Sequence, residues 1–197
     1  AQFQIKEDRP EMLNYLPTSK GFLFESEEHK KVLQVRTDAF TFSKLKPYEN
    51  WKVFVSEAKD LWSKYCDLTK PKKITRLGLR YINRICLPLP IKSFKEFIRI
   101  IPEAPKGIPK GVSEIFLRMV LRFQGEGWED KAIITETIEP VSEDSKVLPF
   151  ILDIDVYNLG DYSVEDSLIW KIFERLRVNK NILFFNGTTP KAKEMFR

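Results

Sequence analysis

Cysteine, histidine and glycine are scarce in this 197-residue chain, which has 2 Cys, 1 His and 8 Gly. Two thiols, Cys66 and Cys86, cannot build a disulfide framework or a four-thiolate zinc site. A single histidine, His29, excludes a histidine-rich metal centre. It lies in a charged turn, so a Ser/His or Cys/His triad would need a distant partner in a buried site that nothing indicates. Gly125-Glu126-Gly127 lacks the third glycine and the strand-to-helix setting of a dinucleotide fingerprint. No cofactor is expected. Long apolar runs are also absent: Ile182-Leu183-Phe184-Phe185 falls far short of the roughly 20 residues that span a bilayer, so no membrane partner is expected. The chain opens Ala1-Gln2-Phe3, without Met and without a basic region followed by an apolar core. This suits a trimmed or processed chain with no signal peptide. Unpaired thiols and abundant Lys fit a reducing cytoplasm. Without a secretion signal, Asn186-Gly187-Thr188 reads as an Asn-Gly turn, not a glycosylation acceptor.

What is present is an ordinary globular composition, 43% apolar and 31% charged, which excludes disorder as the main state. Residues 1–20 are polar, carry Pro10 and Pro17, and read as a loose arm. Gly21 to Ser26 and Val32 to Phe42 read as a hairpin across a charged turn. Trp51, Phe54, Val55, Ala58, Leu61, Trp62, Tyr65 and Cys66 keep the spacing of an amphipathic helix that ends near Pro71. A long strand, Ile74 to Leu87, stops at Pro88 and Pro90. Ser93 with Glu96 opens a short helix through Ile100. Pro102, Pro105, Gly107, Pro109 and Gly111 form a kinked connector. Three strands follow, Val112 to Phe123, Lys131 to Glu139 and Leu148 to Tyr157. A second amphipathic helix is expected from Ser163 to about Asn179-Lys180-Asn181, and a last short one from Thr189-Pro190.

Charge is unevenly placed. Residues 44–99 hold 14 Lys and Arg against 5 Asp and Glu, a net of +9. Residues 124–166 hold 2 against 12, a net of −10. Two such blocks neutralise each other when they fold together. Strand alternation sharpens the picture, because side chains change face at every residue. In the long strand Leu77, Leu79, Tyr81 and Ile85 share one side, and Arg76, Arg80 and Arg84 the other. Arg118 and Arg122 oppose Ile115, Leu117, Met119, Leu121 and Phe123. Asp153 and Asp155 oppose Phe150, Leu152, Ile154 and Val156. In one sheet, these strands would present five arginines on a helix-free face, where guanidinium forks suit carboxylate or phosphate. A solvated face laced with cross-strand ion pairs is the structural alternative. Trp128, in a polar Gly-rich loop, is a candidate exposed anchor. Leu152-Asp153-Ile154-Asp155-Val156 has the shape of a metal-binding strand, with Glu136 as a third carboxylate for Mg²⁺.

Four stretches together resemble a sporadically distributed prokaryotic family of uncharacterised proteins. They are Pro47-Tyr48-Glu49-Asn50-Trp51, the run Arg76 to Ile85, Leu152 to Tyr157, and Leu176 to Asn181 leading into Phe184-Phe185. The resemblance covers most of residues 20–197, and the run Arg76 to Ile85 is its most specific part. It implies one recurrent fold with a further N-terminal strand segment ahead of this chain. It implies no reaction, cofactor or catalytic residue.

The expectation is therefore an α+β fold, with both long helices packed on one face of an antiparallel sheet. A single domain spans 21–197, with related halves 21–101 and 112–197 joined by the Pro/Gly connector. The leading functional reading is a non-enzymatic binding or interaction domain. Arg76, Arg80, Arg84, Arg118 and Arg122, with Trp128, would meet an anionic small molecule, an acidic protein partner or a second copy of the chain. The second reading is nucleic-acid binding through the 44–99 block. The third is a metal-dependent phosphoryl or nucleotidyl transferase using Asp153 and Asp155.

Overall fold

A computed structural model describes residues 5–6, 9–10, 21–28, 30–101, 114–142 and 144–195. His29, most of the expected arm and the connector at 102–111 lie outside the described residues. The fold is α+β with antiparallel sheets, as expected. Ile5–Lys6 (β1) and Arg9–Pro10 (β2) form a minimal pair. The chain groups into two units, residues 1–71 and 72–197.

In the first unit, Gly21–Glu25 (β3), Lys31–Arg36 (β4) and Phe40–Lys44 (β5) form a three-stranded sheet in the order β3-β4-β5. The stretch expected as one return strand is two strands, because the chain turns at Thr37–Ala39, closed by Arg36 N donating to Ala39 O at 2.7 Å. Helix α1 (Trp51–Thr69) starts at Asn50, whose side chain accepts from Val53 N. It ends at Lys70, whose φ of 47° is left-handed. Its apolar stripe packs on β5 through aromatic pairs, Phe42 on Phe54 at 5.3 Å and Phe40 on Trp62 at 5.4 Å. Trp51 alone of this unit's described residues is a buried hydrophobe, while Phe22, Leu23 and Phe24 of β3 are exposed.

The second unit is built on Ile74–Pro88 (β6), Phe116–Gly125 (β7), Trp128–Ile138 (β8) and Val147–Tyr162 (β9). Their order is β6-β9-β8-β7, all antiparallel. The expected loop at 124–130 shrinks to Glu126-Gly127, with Gly127 at a φ of 74°, where glycine alone carries no Cβ penalty. Among the described residues between β6 and β7, only Phe94–Glu96 is helical, a single 3-10 turn capped by Ser93. Helix α2 (Leu168–Gly187) packs on β9 and β6. It begins later than expected, since Ser163 to Ser167 form turns, and Asp166 Oδ1 accepts from Leu168 N. It then runs through Asn179-Lys180-Asn181 and includes Gly187, so Asn186-Gly187 closes a helix instead of making a turn. Pro190–Glu194 (α3) follows with Thr189 as its cap, as expected.

Each long helix thus has its own sheet, where the sequence reading placed both over one. The physical reason is strand supply. The unexpected β4–β5 turn provides enough strand for α1 to cover within the first unit. The core of the second unit is the even-numbered face of β8 and β9, including Ala132, Ile134, Phe150, Leu152, Ile154 and Val156, under Ile169, Ile172 and Leu176 of α2.

Candidate functional site

All five predicted arginines stand on one sheet and on one face of it. Register places Ile82, Asp153, Thr135 and Arg118 in one row across the four strands. The next rows hold Arg80, Asp155, Ile133 and Val120, then Gly78, Tyr157, Lys131 and Arg122. On the other side of Arg118 comes the row Arg84, Ile151, Thr137 and Phe116. This is the face opposite α2.

The arginines divide into two groups. Those of β6 are paired, as the structural alternative required. Arg80 grips Asp153 through Nε at 2.9 Å and Nη2 at 2.6 Å. Arg84 Nε donates to Glu139 at 2.9 Å. Arg76 Nη2 donates to Asp155 at 2.8 Å and lies over the Tyr157 ring at 4.7 Å. Gly78 leaves the room for that reach, since a Cβ there would stand 2.4 Å from Arg76 Nη1. Here the basic and acidic blocks neutralise each other. Carboxylate hydrogen bonds hold the Arg80 and Arg84 guanidiniums even further above their ordinary values. Arg118 and Arg122 of β7 form no ion pair among the described residues. Arg122 and Lys131 do help to hold the Glu129 carboxyl below its usual range, after the larger effect of a hydrogen bond from Gln124. Around the arginines the face is apolar: Phe116 is 70%, Ile82 62% and Val120 54% exposed.

The metal reading does not assemble. Asp153 and Asp155 share the free face but are held by Arg80 and Arg76. Glu136 lies opposite Leu152 on the covered face, 1% exposed. Its parity with Ala132 and Ile134 carried that signal. Among the described residues, no group of three His, Cys, Asp or Glu side chains is placed to hold a metal. Glu136 Oε2 is buried without a hydrogen-bond partner, and burial pushes this carboxyl up to about 7.

Trp128 is not an exposed anchor. Its indole folds back over Gly125, where a Cβ would meet it at 2.4 Å, and under the guanidinium of Arg175 at 4.3 Å. Arg175 belongs to a buried network absent from the sequence reading. Its centre is Asp130, fully buried. Asp130 accepts from Arg175 Nε at 2.7 Å and Nη2 at 2.8 Å, from Asn158 at 2.7 Å and from Asn179 at 3.0 Å. Asn158 also donates to Glu129 O at 2.9 Å and accepts from the Tyr162 hydroxyl. The Asp130 hydrogen bonds raise the Arg175 guanidinium above its ordinary value. Asn179-Lys180-Asn181 was the available signal: polar residues in an apolar helical stretch that had read as a stop. Lys180, over the Tyr81 ring at 3.9 Å, is lowered to about 8 by burial first and by Arg177 second.

A cleft of about 460 Å³ opens beside this network. It exists because β9 outruns β8. Register ends at Asp130 opposite Asn158, so the β9 tail from Leu159 to Tyr162 pairs with β6 alone. Among the described residues, no helix is long and apolar enough to cross a membrane. No family model matches the chain, and no curated protein or solved structure matches it either, so these two surfaces are read from their geometry.

Proposed function

We propose that the four-stranded unit is a binding module whose free face docks an acidic, partly apolar segment of a protein partner along β7. The supporting observation is the pairing state of the arginines. Arg76, Arg80 and Arg84 are committed within the sheet, while Arg118 and Arg122 are not, and they bracket exposed Val120 beside exposed Phe116. Arg and large apolar side chains are the residues that protein interfaces favour.

Spacing chooses the partner. Four residues along a strand separate the Arg118 and Arg122 Cα atoms by roughly 13 Å, and exposed Val120 lies between them, so a partner with charge at both ends and an apolar group in the middle engages all three. An extended segment with Glu-x-Leu-x-Glu spacing matches both the spacing and the interleaving, because only every second side chain faces the sheet. Edge-to-edge pairing of β7 with a second copy is disfavoured: an antiparallel register centred on Val120 would set Arg118 against the other chain's Arg122, a like-charge pair. The nucleic-acid reading loses the β6 arginines, already neutralised by Asp153, Asp155 and Glu139.

A fluorescently labelled peptide repeating Glu-Thr-Leu-Thr is the direct probe, read by anisotropy on the full chain. It is expected to bind, to weaken as salt rises, and to lose at least about tenfold in affinity in R118E/R122E. Equal binding of the same peptide with Lys in place of Glu, or no loss in R118E/R122E, would overturn the reading.

A further inference from the structure

We infer that the cleft between the β9 tail and the β7–β8 turn binds a small molecule carrying one carboxylate on a flat apolar body. The inference does not rest on the free-face reading, since neither Arg118 nor Arg122 lines this cleft.

The first support is size and lining. A volume of about 460 Å³ lies within the roughly 300–1,000 Å³ of small-molecule sites. Leu168 and Ile172 of α2 supply aliphatic walls, and Tyr162 supplies an aromatic one. The second support is the guanidinium in that lining. Asp130 takes Nε and the near N–H of Nη2. The end-on pair of N–H groups, on Nη1 and Nη2, keeps no partner among the described residues. That pair is the second fork of an arginine, and its geometry fits the two oxygens of a carboxylate.

The third support is rigidity. Asp130 is fully buried, so no ligand displaces it, and the Trp128 ring holds the guanidinium from one face. A buried acid with this many donors is costly to desolvate and is weak evidence for stability by itself. Here it fixes a cation at a cleft wall, and through Asn158 it turns the Tyr162 oxygen as well. Charge sets the ligand's valence. Asp130 already offsets Arg175, and Glu129 stands beside Lys131 at 3.6 Å on the rim. The open fork of Arg175 takes one carboxylate, and a second negative charge finds no further open fork in this lining and meets Glu129.

The experiment is calorimetry on the full chain with biphenyl-4-carboxylate, its neutral carboxamide and biphenyl-4-yl phosphate. The carboxylate should bind at least about tenfold more tightly than the amide, the difference expected of a charge-assisted fork, and more tightly than the phosphate. It should also change Trp128 emission. R175K keeps a cation for Asp130 but cannot fork two acids, and should lose the preference for the carboxylate. Should R175K fail to fold, L168W decides, since Leu168 is already 44% exposed and an indole there fills the cleft; it should abolish binding. R118E should leave binding intact, which separates this site from the free face. Equal binding of acid and amide, tighter binding of the phosphate, binding unaffected by L168W, or no binding at all would each overturn the inference.

Discussion

Glu136 departs far from the ordinary behaviour of a carboxyl. Its carboxyl sits among apolar neighbours with Oε2 unpaired, and burial carries it from 4.5 to about 7. The unfolded chain therefore ionises this group first. Between about 4.5 and 7 the unfolded state releases its proton while the folded state keeps it, so stability falls as pH rises through that window and levels off above it. Chemical denaturation across this range should show the slope, and E136Q should remove it. E136L, which replaces an unpaired buried acid by an apolar group of similar size, should stabilise the protein at pH 8 by about 1–3 kcal/mol. Asp130 is the opposite case, a buried acid with every oxygen engaged. D130A strands Asn158, Asn179 and Arg175 and should cost about 3 kcal/mol, read as a lower denaturation midpoint at unchanged m. Strand parity in the sequence places both acids on the covered face. Their opposite fates depend on Arg175 and Asn179, some 45 residues away, which no local pattern reveals.

At the scale of elements, the β6–β9 ladder is where the two charge blocks meet. Its ion pairs are exposed on the arginine side, so they set register more than stability. A double-mutant cycle on R80A and D153A should return a coupling of about 0.2–1 kcal/mol that fades in high salt. A coupling of several kcal/mol would mean that the face is closed off from water. Period-2 alternation made this face legible before any coordinates, because each strand's side chains must alternate whatever its neighbours are. The ion pairs were not legible, because strand order decides which arginine meets which acid. With β9 beside β6, Asp153 and Asp155 are taken; β7, at the far edge, is left with no ion pair for its guanidiniums among the described residues. Helix ends were read less well than helix faces. Asn179 and Lys180 looked like a terminator because polar residues in an apolar stretch carry the same local signal whether they end a helix or pair with a buried acid.

At the scale of the molecule, the described chain holds two units of unequal core. The second contains nearly all the buried hydrophobes, and the first offers Trp51 and an aromatic layer between β5 and α1. Amide exchange should follow that inequality. β8 and β9, paired on both sides, should exchange slowest, and β3, an edge strand with exposed Phe22, Leu23 and Phe24, should exchange among the fastest. Uniform protection across the two sheets would contradict this picture.

By themselves, the residues determined the α+β class, the apolar stripe of α1 and the sharing of one face by Arg76, Arg80, Arg84, Arg118 and Arg122. All three follow from local periodicity, which backbone geometry imposes on any sequence. Tertiary structure alone decided which arginines find an acid among the described residues, that Asp130 is engaged by four donors while Glu136 Oε2 has none there, and that Trp128 closes onto Arg175 beside a cleft. These depend on strand order and on one strand outrunning its neighbour, and such long-range pairings leave no period in the chain.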